Sequence, residues 1–263
     1  MGAPRAFAAR VFACLCYMIS ITTEAFIRAQ ALGVDLRAFI ERVMPVASDS
    51  VHLCVQEGLA LTLPDRTKMR PLRVDFLSPE REHRRRHGGG RGQDLVRACG
   101  LNKTPNLHVI DATAGLGRDA YVLACEGAQV TLLEQHPILA AMLQDGLARA
   151  RAEATAVQHT ILQRMAVHCL RAQTWQEAAD VVYLDPMFPP RQKTAAVKQD
   201  MQVLHRLAAP PYDVEELFAW AHQKARKRVV VKRPRLAPTL GDQTPSHQYL
   251  GASNRFDVYL KPA

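Results

Sequence analysis

No cysteine pair of the C-x-x-C type occurs in the chain; its six cysteines, Cys14, Cys16, Cys54, Cys99, Cys125 and Cys169, are scattered. No histidine pair completes a zinc pattern around them, so no metal centre is expected. Several lie in apolar runs, where a thiol behaves as a small hydrophobe, and unpaired cysteines suit a reducing cytoplasm. The apolar run at residues 11–19 follows Arg5 and Arg10 in the manner of a signal peptide. It is too short to span a bilayer, and no clear small-x-small cleavage site follows it. We expect a first strand there, behind a ragged start, and no membrane association.

What is present is an ordinary globular composition, 263 residues with 48% apolar and 22% charged, enough to bury a core without staples. The formal net charge of +9 makes a polyanionic partner plausible, although solubility alone could account for it. Three segments are distinguishable. Residues 1–70 read as a small α/β segment, with helical spacing over 25–43 and a hairpin of strands 51–55 and 59–63. Residues 71–106 form a connector containing a short strand at 72–76 and a helix beginning at 93–99. Residues 107–263 alternate strand and helix, with strands at 107–111, 129–134, 165–168, 181–185 and 228–232. Helices are expected at 117–126 and 138–151. The apolar strands predict a parallel sheet covered on both faces. Strands at 247–250 and 255–260 around Gly251 then predict a closing antiparallel hairpin, where a dinucleotide-binding Rossmann domain would continue with a helix and a parallel strand.

Within the connector, residues 80–92 hold five arginines, two histidines and four glycines. Almost nothing there can enter a core, so a solvated linker is one reading. The other is anion contact: the glycines let backbone N–H groups approach closely, and Arg84, Arg85, Arg86 and Arg91 offer bidentate contacts to phosphate.

Three further motifs converge on the carboxyl edge of the expected sheet, where ligands of open α/β sheets bind. The first runs from Asp111 to Asp119, Asp-Ala-Thr-Ala-Gly-Leu-Gly-Arg-Asp. Gly115 and Gly117 permit a tight turn, but Ala120 replaces the third glycine of the dinucleotide fingerprint. An acid at the end of the first strand would repel a pyrophosphate and favours a ligand carrying an ammonium group. The second is Glu134, at the end of the next strand, able to accept two ribose hydroxyls of a nucleoside. That feature suits NAD as well as S-adenosylmethionine.

The third motif, Leu184-Asp-Pro-Met-Phe-Pro189, separates the two. The proline turn leaves carbonyls without nearby donors. The Asp185 carboxylate and the Pro186 carbonyl could together grip the hydrogens of an exocyclic amine and turn its delocalised lone pair toward an electrophilic methyl. Phe188 could stack on the extruded base. Basic residues from 224 to 235 follow, of which Lys232, Arg233 and Arg235 could meet phosphates at the same edge.

Taken together these segments resemble the bacterial RsmJ-type 16S rRNA guanine-N2 methyltransferases. The matching stretches are Val74-Asp-Phe76, His83 to Gly92, Asp111 to Asp119, Leu133-Glu134, Val182 to Pro189, Arg228 to Pro234 and Arg255 to Tyr259. The resemblance covers residue 70 to the C-terminus. It implies a class I methyltransferase fold: Rossmann-like α/β, with a mostly parallel seven-stranded sheet ending in an antiparallel hairpin. It also implies S-adenosylmethionine as donor and a guanine of small-subunit RNA, or of the assembled subunit, as acceptor. Cofactor contacts carry over onto Arg118-Asp119, Glu134-Gln135 and Asp185. A further contact falls on Leu170-Arg171, where small polar residues are usual in the family. Rival readings are an amino-methyltransferase acting on DNA adenine or protein glutamine, an NAD-dependent oxidoreductase, and a non-catalytic RNA-binding protein.

Overall fold

Near-continuous apolar strands alternating with helices can bury their side chains only in a sheet covered on both faces. A computed structural model of the chain describes residues 14–15, 18–36, 51–63, 69–186, 200, 203–204, 207, 213–241 and 243–262. A small sheet comes first, built from β1 (Cys14–Leu15), β2 (Met18–Ile21), β3 (Val51–Val55), β4 (Leu59–Thr62) and β5 (Leu72–Arg73) in sequential order. The expected hairpin is β3–β4, with Leu53 opposite Leu61. The helix expected over 25–43 is observed as α1 (Thr23–Ala31), capped by the Thr22 side chain on the Ala25 N–H; residues 37–50 lie outside the described residues.

The large sheet contains β6 (His108–Asp111), β7 (Gln129–Glu134), β8 (Met165–Cys169), β9 (Ala179–Leu184), β10 (Ala225–Pro234), β11 (His247–Leu250) and β12 (Asn254–Leu260). Their order is β11-β12-β10-β9-β6-β7-β8, and β12 alone runs against the other six. The chain winds outward from β6 through β7 to β8, then returns to β9 and continues through β10. The carboxyl ends of β6 and β9 therefore flank a topological switch point.

The connector is more ordered than a linker. Residues 79–87 form helix α2 (Pro79–His87), and α3 (Asp94–Cys99) follows the short 3-10 turn Gly90–Gly92. Local physics explains α2: Ser78 caps the Arg81 N–H, Pro79 opens the first turn, acids fill that turn and bases fill the last. The linker alternative fails because it weighed core-forming content and overlooked these end signals. The remaining helices are α4 (Arg118–Cys125), α5 (Pro137–Glu153), α6 (Ala156–Leu162) and α7 (Val214–Lys224).

The small sheet is tied to the large one through α5. Asp145, 1% exposed, accepts from the Leu59 N–H at 3.0 Å and the Arg149 Nε at 2.8 Å, and pairs with Arg28. Val74 and Phe76 are fully buried and share one core cluster with α4, α5 and the strands of both sheets.

Candidate active site

The turn after β6 is built by two left-handed glycines, Gly115 at φ 54° and Gly117 at φ 66°. A Cβ on Gly117 would lie 2.8 Å from Leu143 and 3.1 Å from Phe76, so a side chain there is excluded by both conformation and space. At Gly115 the nearest atom would be 3.8 Å away, which leaves the surface above the turn open.

Four carboxylates gather around this turn. Asp111, at the end of β6, is 2% exposed and accepts from the Thr113 N–H at 3.2 Å. Burial holds its carboxyl well above the usual range, and Asp119, Asp185 and Glu134 push it further. Glu134, at the end of β7, accepts from the Gly115 N–H at 2.7 Å and the His136 N–H at 2.8 Å. Burial raises it to about 7 against these hydrogen bonds. Asp119, in the first turn of α4, accepts from the Tyr183 hydroxyl at 2.6 Å. Asp185 follows β9, its N–H donating to the Thr113 hydroxyl at 2.6 Å.

Lys232 stands among these acids. Its Nζ donates to Asp119 Oδ2 and to Asp185 Oδ2, both at 2.8 Å. Burial opposes its charge, but the two carboxylates outweigh that and raise its pKa. Burial likewise works against Asp119, yet Lys232 and Tyr183 hold that group below its ordinary value. Asp185 stays raised by its surroundings despite Lys232. Its side chain retains 38% exposure, and among the described residues no donor reaches its second oxygen.

The remaining expected residues divide. Gln135 adjoins Glu134, and the Leu170 N–H donates to the Glu134 carbonyl at 3.1 Å, so both lie at the end of β7. Arg171 turns away, with its guanidinium 3.4 Å from Glu216 on α7. Arg118 is exposed and pairs with Asp200. Pro186 is buried directly after Asp185, whereas Phe188 lies outside the described residues.

On the basic side, Arg84, Arg86 and Arg91 are exposed, with Arg86 and Arg85 both paired to Glu82. Two expectations need correction. Lys232 is committed to carboxylates inside the site and does not extend toward phosphate. Arg233 is 5% exposed and donates to the Pro238 carbonyl, because successive β-strand residues face opposite sides of the sheet. Arg235, just past β10, is exposed and reaches the Gly251 carbonyl at 3.2 Å. Sequence reasoning missed Thr113 and Tyr183; a hydroxyl in a turn and a strand tyrosine carry no distinguishing signal. Among the described residues no group of three or more His, Cys, Asp or Glu could hold a metal ion, and no helix is long and apolar enough to cross a membrane.

A singly reversed seven-stranded sheet, with a glycine turn after its first strand and an acid ending its second, defines a class I S-adenosylmethionine-dependent methyltransferase. The model of a SAM-dependent methyltransferase family matches residues 41–261. A ribosomal RNA small subunit methyltransferase J of Pseudoalteromonas translucida is 47% identical over 211 residues, covering 78% of this chain and 83% of that protein. Its counterpart in Aeromonas salmonicida is 47% identical over 212 residues, covering 79% and 84%. The crystal structure of a SAM-dependent methyltransferase from Neisseria gonorrhoeae aligns with a TM-score of 0.64 at 35% identity, covering 92% of this chain and 94% of that one. The chain belongs to the ribosomal RNA small subunit methyltransferase J family, and S-adenosylmethionine is its cofactor. The site fits that molecule: an open glycine turn, a buried carboxylate for hydroxyl donors, and an excess of negative charge for a cationic ligand.

Proposed function

We propose that the chain methylates the exocyclic N2 amine of a guanine in 16S ribosomal RNA of the small subunit, in the cytoplasm. The observation that carries this reading is Asp185, which has one oxygen anchored by Lys232 and the other open at the carboxyl edge of the sheet. RNA as substrate is supported by the names of the relatives and by the exposed arginines of α2. The N2 position is supported by the resemblance of the Asp-Pro-Met-Phe-Pro turn to the guanine-N2 enzymes.

When bound, S-adenosylmethionine supplies a methyl group made electrophilic by its sulfonium. Glu134 would hold the ribose hydroxyls, while Asp111 and the turn through Gly115, Gly117 and the backbone of Arg118-Asp119 would receive the amino-acid end. Gln135 and Leu170 would border the base. The open oxygen of Asp185 accepts one hydrogen of the guanine amine, and the Pro186 carbonyl accepts the other, turning the nitrogen lone pair out of conjugation. Phe188 stacks on the displaced base. The amine needs no deprotonation beforehand; its proton becomes acidic once the nitrogen has acquired its fourth substituent, and Asp185 takes it then. Lys232 keeps Asp185 oriented and favours its ionised form against the burial that raises it.

Purified protein with labelled donor should transfer label to small-subunit RNA as N2-methylguanosine, and Asp185→Ala should abolish transfer. Label entering duplex DNA alone, or another nucleoside, would overturn the proposal.

A further inference from the structure

Beside the catalytic edge, a cavity of about 440 Å³ opens between α2 and α4, lined by the arginines Arg73, Arg81, Arg84, Arg85 and Arg118 and by the carboxylates Asp75, Glu80, Glu126 and Asp200. Most of these guanidinium groups are already engaged. Arg73 pairs with Glu57, Arg85 takes a bidentate hold on Glu82, and Arg84 reaches the Gln93 amide oxygen at 3.3 Å. Arg81 differs. It lies over the rings of Phe76 and Tyr121, at 5.3 and 5.9 Å from their centroids. Among the described residues its guanidinium has no hydrogen-bond acceptor. Burial, followed by the repulsion of Arg118, lowers its pKa to about 10. Arg84 presses on it in the same sense, against one carboxylate, Asp75. A half-buried guanidinium with donors unused and cations for neighbours is stabilised by an anion.

Arg118 connects this cavity to the active site. It precedes Asp119, the residue that shares Lys232 with Asp185. Its own pair with Asp200 lies at the surface, with side chains 51% and 36% exposed, and such pairs exchange partners at little cost.

We propose that this cavity is a phosphate site for the RNA backbone beside the target nucleotide, with Arg81 and Arg118 as the direct contacts. The inference rests on the RNA reading above and moves the backbone anchor from the exposed end of α2 to its half-buried first turn. An extruded base leaves its flanking phosphates displaced from the helical path. A fixed anion site next to Asp185 would hold the nucleotide in that geometry.

The test measures affinity for small-subunit RNA across a range of potassium chloride concentrations, with wild type and Arg81→Met. Methionine keeps an apolar stem on the two rings, and retained S-adenosylhomocysteine binding identifies folded variant. R81M is expected to weaken RNA binding roughly tenfold, the size of one charge-assisted hydrogen bond. The slope of log affinity against log salt should become shallower by about 0.7, the value for one single-strand phosphate. An unchanged affinity and slope in folded R81M would overturn the phosphate site. Should R81M fail to fold, Asp200→Asn decides: releasing Arg118 should tighten RNA binding several-fold, and no tightening overturns the proposal. Failure of the underlying RNA reading looks different, since wild type itself would then transfer no label to ribosomal RNA.

Discussion

Replacing Lys232 with methionine separates the two roles of the lysine that bridges Asp119 and Asp185. The variant leaves two carboxylates facing each other without the cation that sits 2.8 Å from both. The Asp119 arm is the more buried one, its side chain 17% exposed, and an unpaired charge there costs about 2 kcal/mol, below the roughly 3–5 kcal/mol of fully buried broken pairs because solvent still reaches it. Asp185 is 38% exposed and adds at most about 0.5 kcal/mol after solvent screening. A total near 2–3 kcal/mol corresponds to a Tm lower by about 4–10 °C in a protein of this size. The pH dependence follows from the direction of each shift. In wild type Asp119 is held below its ordinary value, so its contribution is present above the unfolded carboxylate pKa and lost as pH falls through the folded one. In the variant burial prevails and both carboxyls retain protons to higher pH, so the deficit is largest near pH 8 and narrows toward pH 4. The same change removes the ionised acceptor from the amine, and kcat should fall at pH 7 and recover partly at pH 9. Thermal melts and kcat profiles at matched pH values measure both. A Tm difference equal at pH 8 and pH 4, or a kcat profile that keeps its wild-type midpoint, would refute the role assigned to Lys232.

Other perturbations test neighbouring parts of the site. Asp185→Asn should reduce kcat by about 10²-fold or more, as expected for loss of a proton acceptor. It should leave the S-adenosylhomocysteine Kd within a few-fold of wild type, as read by calorimetry. Glu134, lifted by burial to about 7, accepts hydroxyl hydrogens best when ionised. Affinity for S-adenosylhomocysteine should therefore weaken as pH falls below 7 and level off above 8; a flat profile from pH 6 to 8 would remove Glu134 from the ribose. Asp145→Ala strips Arg28, Arg149 and the Leu59 N–H of their common acceptor. It should cost about 3 kcal/mol in denaturant unfolding, because buried donors and guanidinium charge lose their partner together.

The fold was largely legible because its strands are apolar and punctuated. Val182, Leu184, Val229 and Val231 are fully buried in adjacent parallel strands, which near-continuous apolar runs announce directly. Asp111, Gly115, Glu134 and Asp185 could be placed at one edge because each terminates a strand or the turn after it. Three helices were not read. α6 and α7 have clear caps at Thr155 and Asp213, but α6 is short, and residues 208–212 ahead of α7 gave no apolar period to lead into it. α2 buries no residue, so periodicity had nothing to detect, and its capping Ser78 with the following Pro79 was the available signal.

Charge was the property the sequence misrepresented. Lys232 and Arg233 are adjacent and both basic, and counting them gives two phosphate contacts at the sheet edge. Strand alternation sends them to opposite faces. Lys232 enters a ring of acids, while Arg233 joins the Pro238 carbonyl close to the buried Arg255–Asp257 pair. Neither presents its cation at the rim, since Lys232 is paired with two acids and Arg233 is buried. Arg85 and Arg86 are similarly drawn to Glu82. The net charge of +9 therefore overstates what the β10 rim can offer a polyanion and does not show where unused donors lie in the cavity beside it, whose five arginines face four carboxylates. There Arg81 keeps a charge that no described acceptor satisfies, directly over two aromatic rings. If electrostatic attraction to RNA scaled with total basic residues, Arg235→Gln and Arg81→Met would alter the salt slope equally. On the arrangement of partners seen here, Arg81→Met should change it by about 0.7 and Arg235→Gln, a rim residue bound to Gly251, by clearly less.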